Sequence, residues 1–260
     1  MKIFHDQLNR PISLTNTPSR IISLVPSQTE LLFDLGLDEF VLGRTKFCIH
    51  PADKIKSVRR IGGTKNLNIE LIKSMQPDLI IANKEENTKE QIDELAQHFP
   101  VWISDIKNLD EALDMIKRLG ELLAVEKKSD EIIAAIKTNF AALQQFKIKE
   151  VIYFIWQQPY ISIGADTFIN SMLQAAGFKN VLQNKTRYPE ITAEEINHSS
   201  AEYLLLSSEP FPFKEKQKQK FEKLFPTKKI VLVDGEMFSW YGSRLVKAAD
   251  YFLKLRNQLD

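Results

Sequence analysis

Cysteine is almost missing from this sequence: Cys48 is the single cysteine in 260 residues, which excludes an internal disulfide. An excess of either charge is also missing, because 35 Lys and Arg stand against 34 Asp and Glu, for a net charge of +1. That balance gives no bulk attraction to nucleic acid or to an anionic membrane. No apolar run approaches the roughly 20 residues that a membrane-spanning helix needs. With 43% hydrophobic and 27% charged residues, the chain is predicted to be globular and soluble.

Several functional signatures are absent as well. The start, "MKIFHDQLNRPISL", has no apolar segment of the kind found in secretory signals, so the chain as written is predicted to be cytoplasmic, unless it is a mature form with a new Met. The sequence contains no GxSxG, HExxH, CxxC or P-loop motif. "RIGGTKN" lacks the spacing of a P-loop and is predicted to be a turn. We therefore expect no enzymatic activity.

The clearest local pattern is "RIISLVPSQTELLFDLGL", residues 20–37. Its β-branched run predicts a buried strand that stops at Pro26. Ser27 and Glu30 have the spacing of a capping box, the leucines that follow have helical spacing, and Gly36 is placed to end the helix. A strand is thus predicted to run directly into a helix whose N-terminus is open.

Strands and helices alternate before and after a helical middle segment. "PDLIIA", "VWIS", "VIYFIW", "EYLLLS" and "KIVLVD" have the composition of buried strands, which predicts parallel sheets covered by helices. Between residues 109 and 146, an apolar stripe predicts an amphipathic helix of about 20 residues, roughly 30 Å long. It is either a strut between lobes or an ordinary covering helix. The predicted fold is α/β, with two lobes, each a small, mostly parallel sheet flanked by helices, joined by a long backbone helix: residues 1–107, a helical connector at 108–148, and 149–260.

The two halves of the sequence also resemble each other. "NIELIKSMQPDLII" matches "AEEINHSSAEYLLL", and Glu70 and Glu194 each precede another acidic residue by eight positions. Chance similarity of two α/β units is the alternative to duplication. A carboxylate at a helix start is explained by the helix dipole alone. If the duplication is real, Glu70 and Glu194 form a symmetric acidic pair that could dock onto basic residues of a two-fold partner.

Aromatic residues gather at predicted strand-to-helix edges. Phe47, Trp156, Tyr188 and Trp240 all lie there, where open α/β sheets bind ligands, and a cleft lined by them would suit a large, flat, partly apolar ligand. In "EMFSWYGSRL", Phe238 and Trp240 lie in a predicted loop, and Arg244 in the first turn of the last helix. Local packing beneath that helix is the alternative.

"TKFCIHP" offers a possible metal site. Cys48 and His50 alternate, so in an extended segment they would point the same way and could ligate a soft or borderline metal. A metal-dependent enzyme would need a third ligand, which the sequence does not identify. The favoured interpretation is a small core thiol and a turn histidine.

The opening motif, "NIELIKSMQPDLIIA", the helical middle and "FSWYGSR" resemble the substrate-binding proteins of ABC importers for metal chelates, a group that binds siderophores, haem and cobalamin. The cobalamin binders are the most alike. The resemblance implies a bilobed fold with the ligand in the cleft and little closure. It also implies that Phe47 and Tyr188 line the cleft, that Pro26 and Ser27 form its edge, and that Glu70 and Glu194 engage arginines of the permease. Glu236 and Trp240 depart from the cobalamin binders, which have an aspartate and an arginine there.

The predicted function is therefore to bind a metal chelate, preferably a corrinoid, and to deliver it to an ABC permease. The alternative is a cytoplasmic corrinoid, haem or siderophore carrier or sensor without a transport role. We expect no cofactor of its own, a cobalt corrinoid or an iron chelate as ligand, no nucleic-acid partner and a monomeric state, with His50 near the metal. The family normally works in the periplasm or on a lipid anchor. The predicted ligand-binding residues are Pro26, Ser27, Phe47, Cys48, His50, Trp156, Tyr188, Glu236, Phe238, Trp240 and Arg244.

Overall fold

The structure is a computed structural model that describes residues 1–143 and 146–259. Residues 144–145 of the predicted connector and residue 260 of the predicted C-terminal lobe lie outside the described residues. The strands are β1 (Lys2–His5), β2 (Pro11–Leu14), β3 (Ile21–Ser23), β4 (Val41–Arg44), β5 (Arg59–Arg60), β6 (Gly62–Gly63), β7 (Asn66–Leu67), β8 (Leu79–Asn83), β9 (Val101–Ser104), β10 (Lys149–Phe154), β11 (Trp156–Gln157), β12 (Tyr160–Ile161), β13 (Phe178–Asn180), β14 (Tyr203–Ser207) and β15 (Lys229–Val233). The helices are α1 (Pro26–Asp34), α2 (Ile69–Met75), α3 (Lys89–Ala96), α4 (Leu109–Leu122), α5 (Glu126–Ala141), α6 (Phe168–Ala175), α7 (Ala193–His198), α8 (Glu215–Leu224), α9 (Gly235–Ser239) and α10 (Leu245–Leu259).

Unit 1 comprises Met1–Ile106, Asp110–Ile136 and Tyr241–Arg244. Its main sheet has the strand order β5-β4-β3-β8-β9, and all of these pairings are parallel. Two antiparallel hairpins, β1-β2 and β6-β7, accompany it. The central strands β3 and β8 are buried along their whole length, as expected for a parallel sheet covered on both faces.

Helix α1 begins differently from the prediction. Val25 is the N-cap in extended conformation, Pro26 occupies the first turn, and no side chain caps the helix. The fixed φ and the missing N–H of proline suit that position. The predicted capping box of Ser27 and Glu30 is therefore wrong, because the Glu30 carboxylate pairs with Arg244 instead. The predicted stop is confirmed, since Gly36 has φ +80 directly after the helix.

Unit 2 comprises Lys107–Leu109, Lys137–Trp240 and Leu245–Asp260. Its sheet has the order β13-β10-β14-β15, again with parallel pairings, and β11-β12 forms a separate antiparallel hairpin. Beneath the sheet, apolar residues of β10 and β14 pack with aromatic rings of α8 and its flanking loops, and Phe221 touches Phe154, Tyr160 and Phe213 edge-on. The α/β class with two parallel sheets flanked by helices is confirmed.

Some predicted elements differ in extent. The backbone helix α5 has 16 residues rather than about 20, which makes it about 24 Å long, and Ile136 is the fully buried member of its apolar stripe. Residues 235–239, predicted to be a loop, form the short helix α9, which Asp234 caps by accepting from the Glu236 N–H. The last helix begins at Leu245, so Arg244 precedes it instead of lying in its first turn.

None of the helices in residues 1–143 and 146–259 combines the length and the apolar character needed to cross a membrane.

Candidate functional site

Phe47 lies on a turn at the carboxyl end of the parallel sheet of unit 1. The turn follows β4, and the Cys48 N–H donates to the Thr45 carbonyl at 3.2 Å. Phe47 occupies its tip with 50% of its surface exposed, and the Lys46 Nζ lies 4.9 Å from the ring centroid. An exposed ring at this edge of an open α/β sheet is suited to contact a flat ligand.

Cys48 does not join His50 in a metal site. The segment is a turn rather than an extended strand, and Cys48 is completely buried. Its Sγ lies 3.1 Å from Thr29 Oγ1 and 3.2 Å from Thr45 Oγ1, and burial raises the pKa of the thiol. Among the described residues, no three His, Cys, Asp or Glu side chains are placed to hold a metal. The prediction of Cys48 as a ligand contact is corrected: this thiol belongs to the core.

Residues 241–244 pack against α1, and two of the predicted site residues, Ser27 and Arg244, are buried in this contact. Arg244 donates from Nε and Nη2 to the two Glu30 carboxylate oxygens at 2.9 and 2.7 Å, and both side chains are buried. Gly242 lies so close to Ser27 that a Cβ there would be 2.5 Å from the Ser27 carbonyl oxygen. Ser27 is buried and Pro26 is half-buried. Arg244 is thus committed to Glu30 and is not exposed for a ligand, contrary to the prediction.

Unit 2 presents two exposed aromatic side chains near the carboxyl end of β10. Trp156 is 40% exposed, packs edge-on against Phe211 and donates from Nε1 to the Gln158 carbonyl at 3.1 Å. Tyr188 is 41% exposed, and the Arg187 guanidinium lies 5.5 Å from its ring centroid. The loop of Tyr188 is held beside β12, because the Ser162 N–H donates to the Pro189 carbonyl at 3.0 Å. These two rings therefore sit on an anchored backbone.

The aromatic residues after β15 are buried. Phe238 is fully buried in the core of unit 2, against Tyr153, Tyr251 and Phe252, so its prediction as a ligand contact is corrected. Trp240 is also buried, and its Nε1 donates to a Glu209 carboxylate oxygen at 3.0 Å. The Trp240 ring therefore packs inward, as the alternative of local packing beneath the last helix predicts.

Glu209 was missed by sequence reasoning. It follows β14, and its carboxylate accepts hydrogen bonds from the Ser239 hydroxyl and the Trp240 indole. Burial raises the pKa of Glu209, the hydrogen bond from Ser239 opposes that rise, and the nearby charge of Glu236 adds to it. Its position directly after a buried strand was the available signal.

Glu70 and Glu194 occupy equivalent positions in the two units. Each is the second residue of a short helix, after an N-cap of Asn68 or Thr192, and each helix leads into a buried parallel strand. Both side chains are exposed, and that of Glu70 keeps 86% of its surface although Lys73 Nζ lies 3.5 Å away. Both carboxylates are therefore presented to solvent on the same kind of element.

The sequence of residues 21–227 matches the model of a family described as periplasmic binding protein. The chain belongs to this family. Its members are substrate-binding transport proteins rather than enzymes, of the type that serves ABC import of vitamin B12, haem or siderophores.

Individual proteins of this family are similar along most of the chain. An uncharacterized ABC transporter substrate-binding lipoprotein of Bacillus subtilis, YvrC, is 30% identical over 204 residues, which are 74% of this chain and 64% of YvrC. A vitamin B12-binding protein of Photorhabdus laumondii is 22% identical over 254 residues, 94% of this chain and 90% of its own length. The crystal structure of a possible iron-binding, periplasmic solute-binding protein from Staphylococcus epidermidis has a TM-score of 0.78 and 25% identity, covering 94% of this chain and 99% of that one.

The family assignment confirms part of the sequence prediction and corrects another part. The resemblance to chelate-binding proteins of ABC importers is confirmed, and the family binds its chelates as transported substrates rather than as cofactors. Its members are periplasmic or lipid-anchored. The prediction of a cytoplasmic location is therefore not supported.

Proposed function

We propose that this protein binds a cobalt corrinoid and delivers it to an ABC permease. The observation that carries the proposal is the set of exposed aromatic rings on anchored turns at the carboxyl edges of the sheets: Phe47 in unit 1, and Trp156 and Tyr188 in unit 2. Flat, half-exposed rings offer apolar area to a macrocycle at a low cost in conformational entropy. The likeness to vitamin B12-binding proteins supports a corrinoid, and an iron chelate such as haem is the competing ligand.

The burial pattern revises the predicted set of ligand contacts. Phe47, Trp156 and Tyr188 remain as the principal contacts, and Pro26, His50 and Glu236, which are half-buried, remain as secondary candidates. Cys48, Phe238 and Arg244 are withdrawn because each is buried in packing or ion pairing of its own unit. Ser27 and Trp240 are withdrawn as well, because both side chains are buried.

We expect Phe47→Ala and Tyr188→Ala each to weaken corrinoid binding about tenfold, because each removes one stacking surface. Cyanocobalamin and haemin are titrated separately while tryptophan fluorescence is followed; Trp156 is exposed, is itself one of the proposed contacts and serves as the reporter. Phe40→Ala is the matched control, since Phe40 is 38% exposed in unit 1 but lies at the start of β4 rather than at its end. Tight binding of haemin with none of cyanocobalamin would assign the iron chelate instead, and unchanged affinity in both variants would refute the aromatic site.

We also propose that Glu70 and Glu194 dock the protein onto the permease. Their equivalent placement at exposed helix starts fits two basic sites related by a pseudo-two-fold axis. The double variant Glu70→Ala/Glu194→Ala should keep its affinity for the chelate but lose most of its stimulation of the transporter's ATPase in proteoliposomes. Glu215→Ala, which removes an exposed carboxylate from the first turn of α8, should leave the stimulation intact. Equal stimulation by the double variant and the control would exclude this docking mode.

A further inference from the structure

Arg44, the last residue of β4, is a buried arginine that makes no ion pair within residues 1–143 and 146–259. Only 3% of its surface is exposed, and burial lowers the pKa of its guanidinium. Buried arginines are usually paired with a carboxylate, since an unpaired buried charge is costly. Because this burial is costly, we expect the Arg44 guanidinium to have a role other than charge pairing.

The guanidinium of Arg44 holds both ends of the turn that carries Phe47. Its Nη1 donates to the Thr45 carbonyl at 3.3 Å and to the Cys48 carbonyl at 3.1 Å. The same Thr45 carbonyl accepts the Cys48 N–H that closes the turn. One nitrogen therefore binds the two peptide groups that flank the exposed tip, and the Cys48 side chain is held by the hydroxyl groups of Thr29 and Thr45.

The Phe47 ring itself rests on a surface that leaves it little freedom. The Lys46 N–H donates to the Gly62 carbonyl at 2.8 Å, which joins the turn to the β6-β7 hairpin. At Gly63 an added Cβ would already lie 3.4 Å from the ring of Phe47 and 3.4 Å from the Lys46 side chain. The ring is thus supported below by a glycine and flanked by a lysine, while half of its surface faces solvent.

We propose that Arg44 is a positioning residue for ligand binding, which acts by holding the Phe47 turn in its binding conformation before the ligand arrives. This inference rests on the proposed function, because it concerns the same aromatic contact. Fixing a side chain in advance removes an ordering cost that binding would otherwise carry, a cost that corresponds to about a 3- to 10-fold change in affinity. Because Arg44 is buried, it acts through the turn that carries Phe47 rather than through a surface of its own.

A double-mutant cycle tests the inference. Arg44→Met removes the donors while keeping an apolar side chain of similar length, and Arg44→Lys keeps a single donor group in case Arg44→Met fails to fold. We expect Arg44→Met to weaken binding of cyanocobalamin, or of haemin if that is the chelate bound, about 3- to 10-fold, and Arg44→Lys to weaken it less. In the Phe47→Ala background the same substitutions should have no further effect on affinity, because the ring that they position is gone.

The matched control is Arg256→Met, which removes another buried arginine that donates to backbone carbonyls, but in unit 2. It should lower stability without changing chelate affinity, measured below the unfolding transition. Amide hydrogen exchange at Cys48 gives a second measurement, and we expect it to accelerate in Arg44→Met and not in Arg256→Met. If substituting Arg44 lowers the affinity equally in the wild-type and Phe47→Ala backgrounds, or does not lower it at all, this inference is overturned and the proposed function is not. If the wild-type protein binds neither chelate, the proposed function fails and the inference falls with it.

Discussion

Glu30→Ala should destabilise unit 1 by about 3–5 kcal/mol, the range expected when one partner of a buried ion pair is removed. The substitution leaves the Arg244 guanidinium buried without the two carboxylate oxygens that it binds at 2.9 and 2.7 Å. Urea unfolding followed by fluorescence in a Trp156→Phe/Trp240→Phe background measures the effect. In that background the signal comes from Trp102, which is buried in β9 of unit 1.

Two controls separate the buried charge from other causes. The double variant Glu30→Leu/Arg244→Met removes both charges, so it should lose less stability than Glu30→Ala alone. Asp38→Ala breaks the exposed pair of Asp38 and Lys54, whose atoms lie 3.1 Å apart, and should leave the urea midpoint nearly unchanged. If Glu30→Leu/Arg244→Met is less stable than Glu30→Ala, the ion pair itself stabilises this part of unit 1. The loss in Glu30→Ala would then not come from leaving the Arg244 charge without its carboxylate.

The second large effect is expected for Arg256→Met in unit 2, a loss of about 3–4 kcal/mol. The fully buried guanidinium donates to the carbonyls of Gly177 and Lys147, each at 2.6 Å, and of Ala176 at 3.2 Å, where α6 ends. It also lies 4.8 Å from the ring centroids of Phe146 and Phe178. Methionine fills part of the space but donates to none of these oxygens, so all three lose this charged donor.

The measurement for Arg256→Met is urea unfolding in a Trp102→Phe/Trp156→Phe background, in which the signal comes from Trp240, buried in unit 2. Lys254→Met is the matched control: it removes a cation from the same helix, α10, but one that is exposed and paired with Asp250. We expect the control to unfold at the wild-type midpoint. A similar shift of the urea midpoint in both variants would mean that the loss of a positive charge from α10 causes the destabilisation, rather than the loss of the hydrogen bonds to the three carbonyls.

The fold was predictable from the sequence because its signals are local. Runs of β-branched and apolar residues marked the strands, with VWIS confirmed as β9, and alternation with helices predicted the parallel sheets. Within "PDLIIA" the strand was predicted at Asp78–Ala82, and the observed β8 is shifted by one residue at each end, a shift that hydrogen bonding to neighbouring strands decides. The capping box failed because a partner 214 positions away took the Glu30 carboxylate.

The candidate site was predictable only in part. Aromatic residues that follow a predicted strand were expected at the edge of a sheet, and three of them are exposed in the structure: Phe47, Trp156 and Tyr188. Periodicity carries no information about whether a loop ring turns outward, so Phe238 was placed at a surface although it packs among other rings. The roles of Arg44 and Glu209 depend on hydrogen bonds to backbone and side chains that only the folded chain brings near.

Tyr241–Arg244 belong to unit 1 although the residues on both sides of them belong to unit 2. A ribosome makes these four residues last among all those of unit 1, about 100 residues after the rest. Until they emerge, Glu30 lacks its partner Arg244, and the surface of α1 beside Gly242 stays uncovered. The amino-terminal unit must therefore wait for nearly the whole chain before its native structure is complete, and a nascent chain stalled before residue 241 would expose an incomplete first unit to chaperones and proteases.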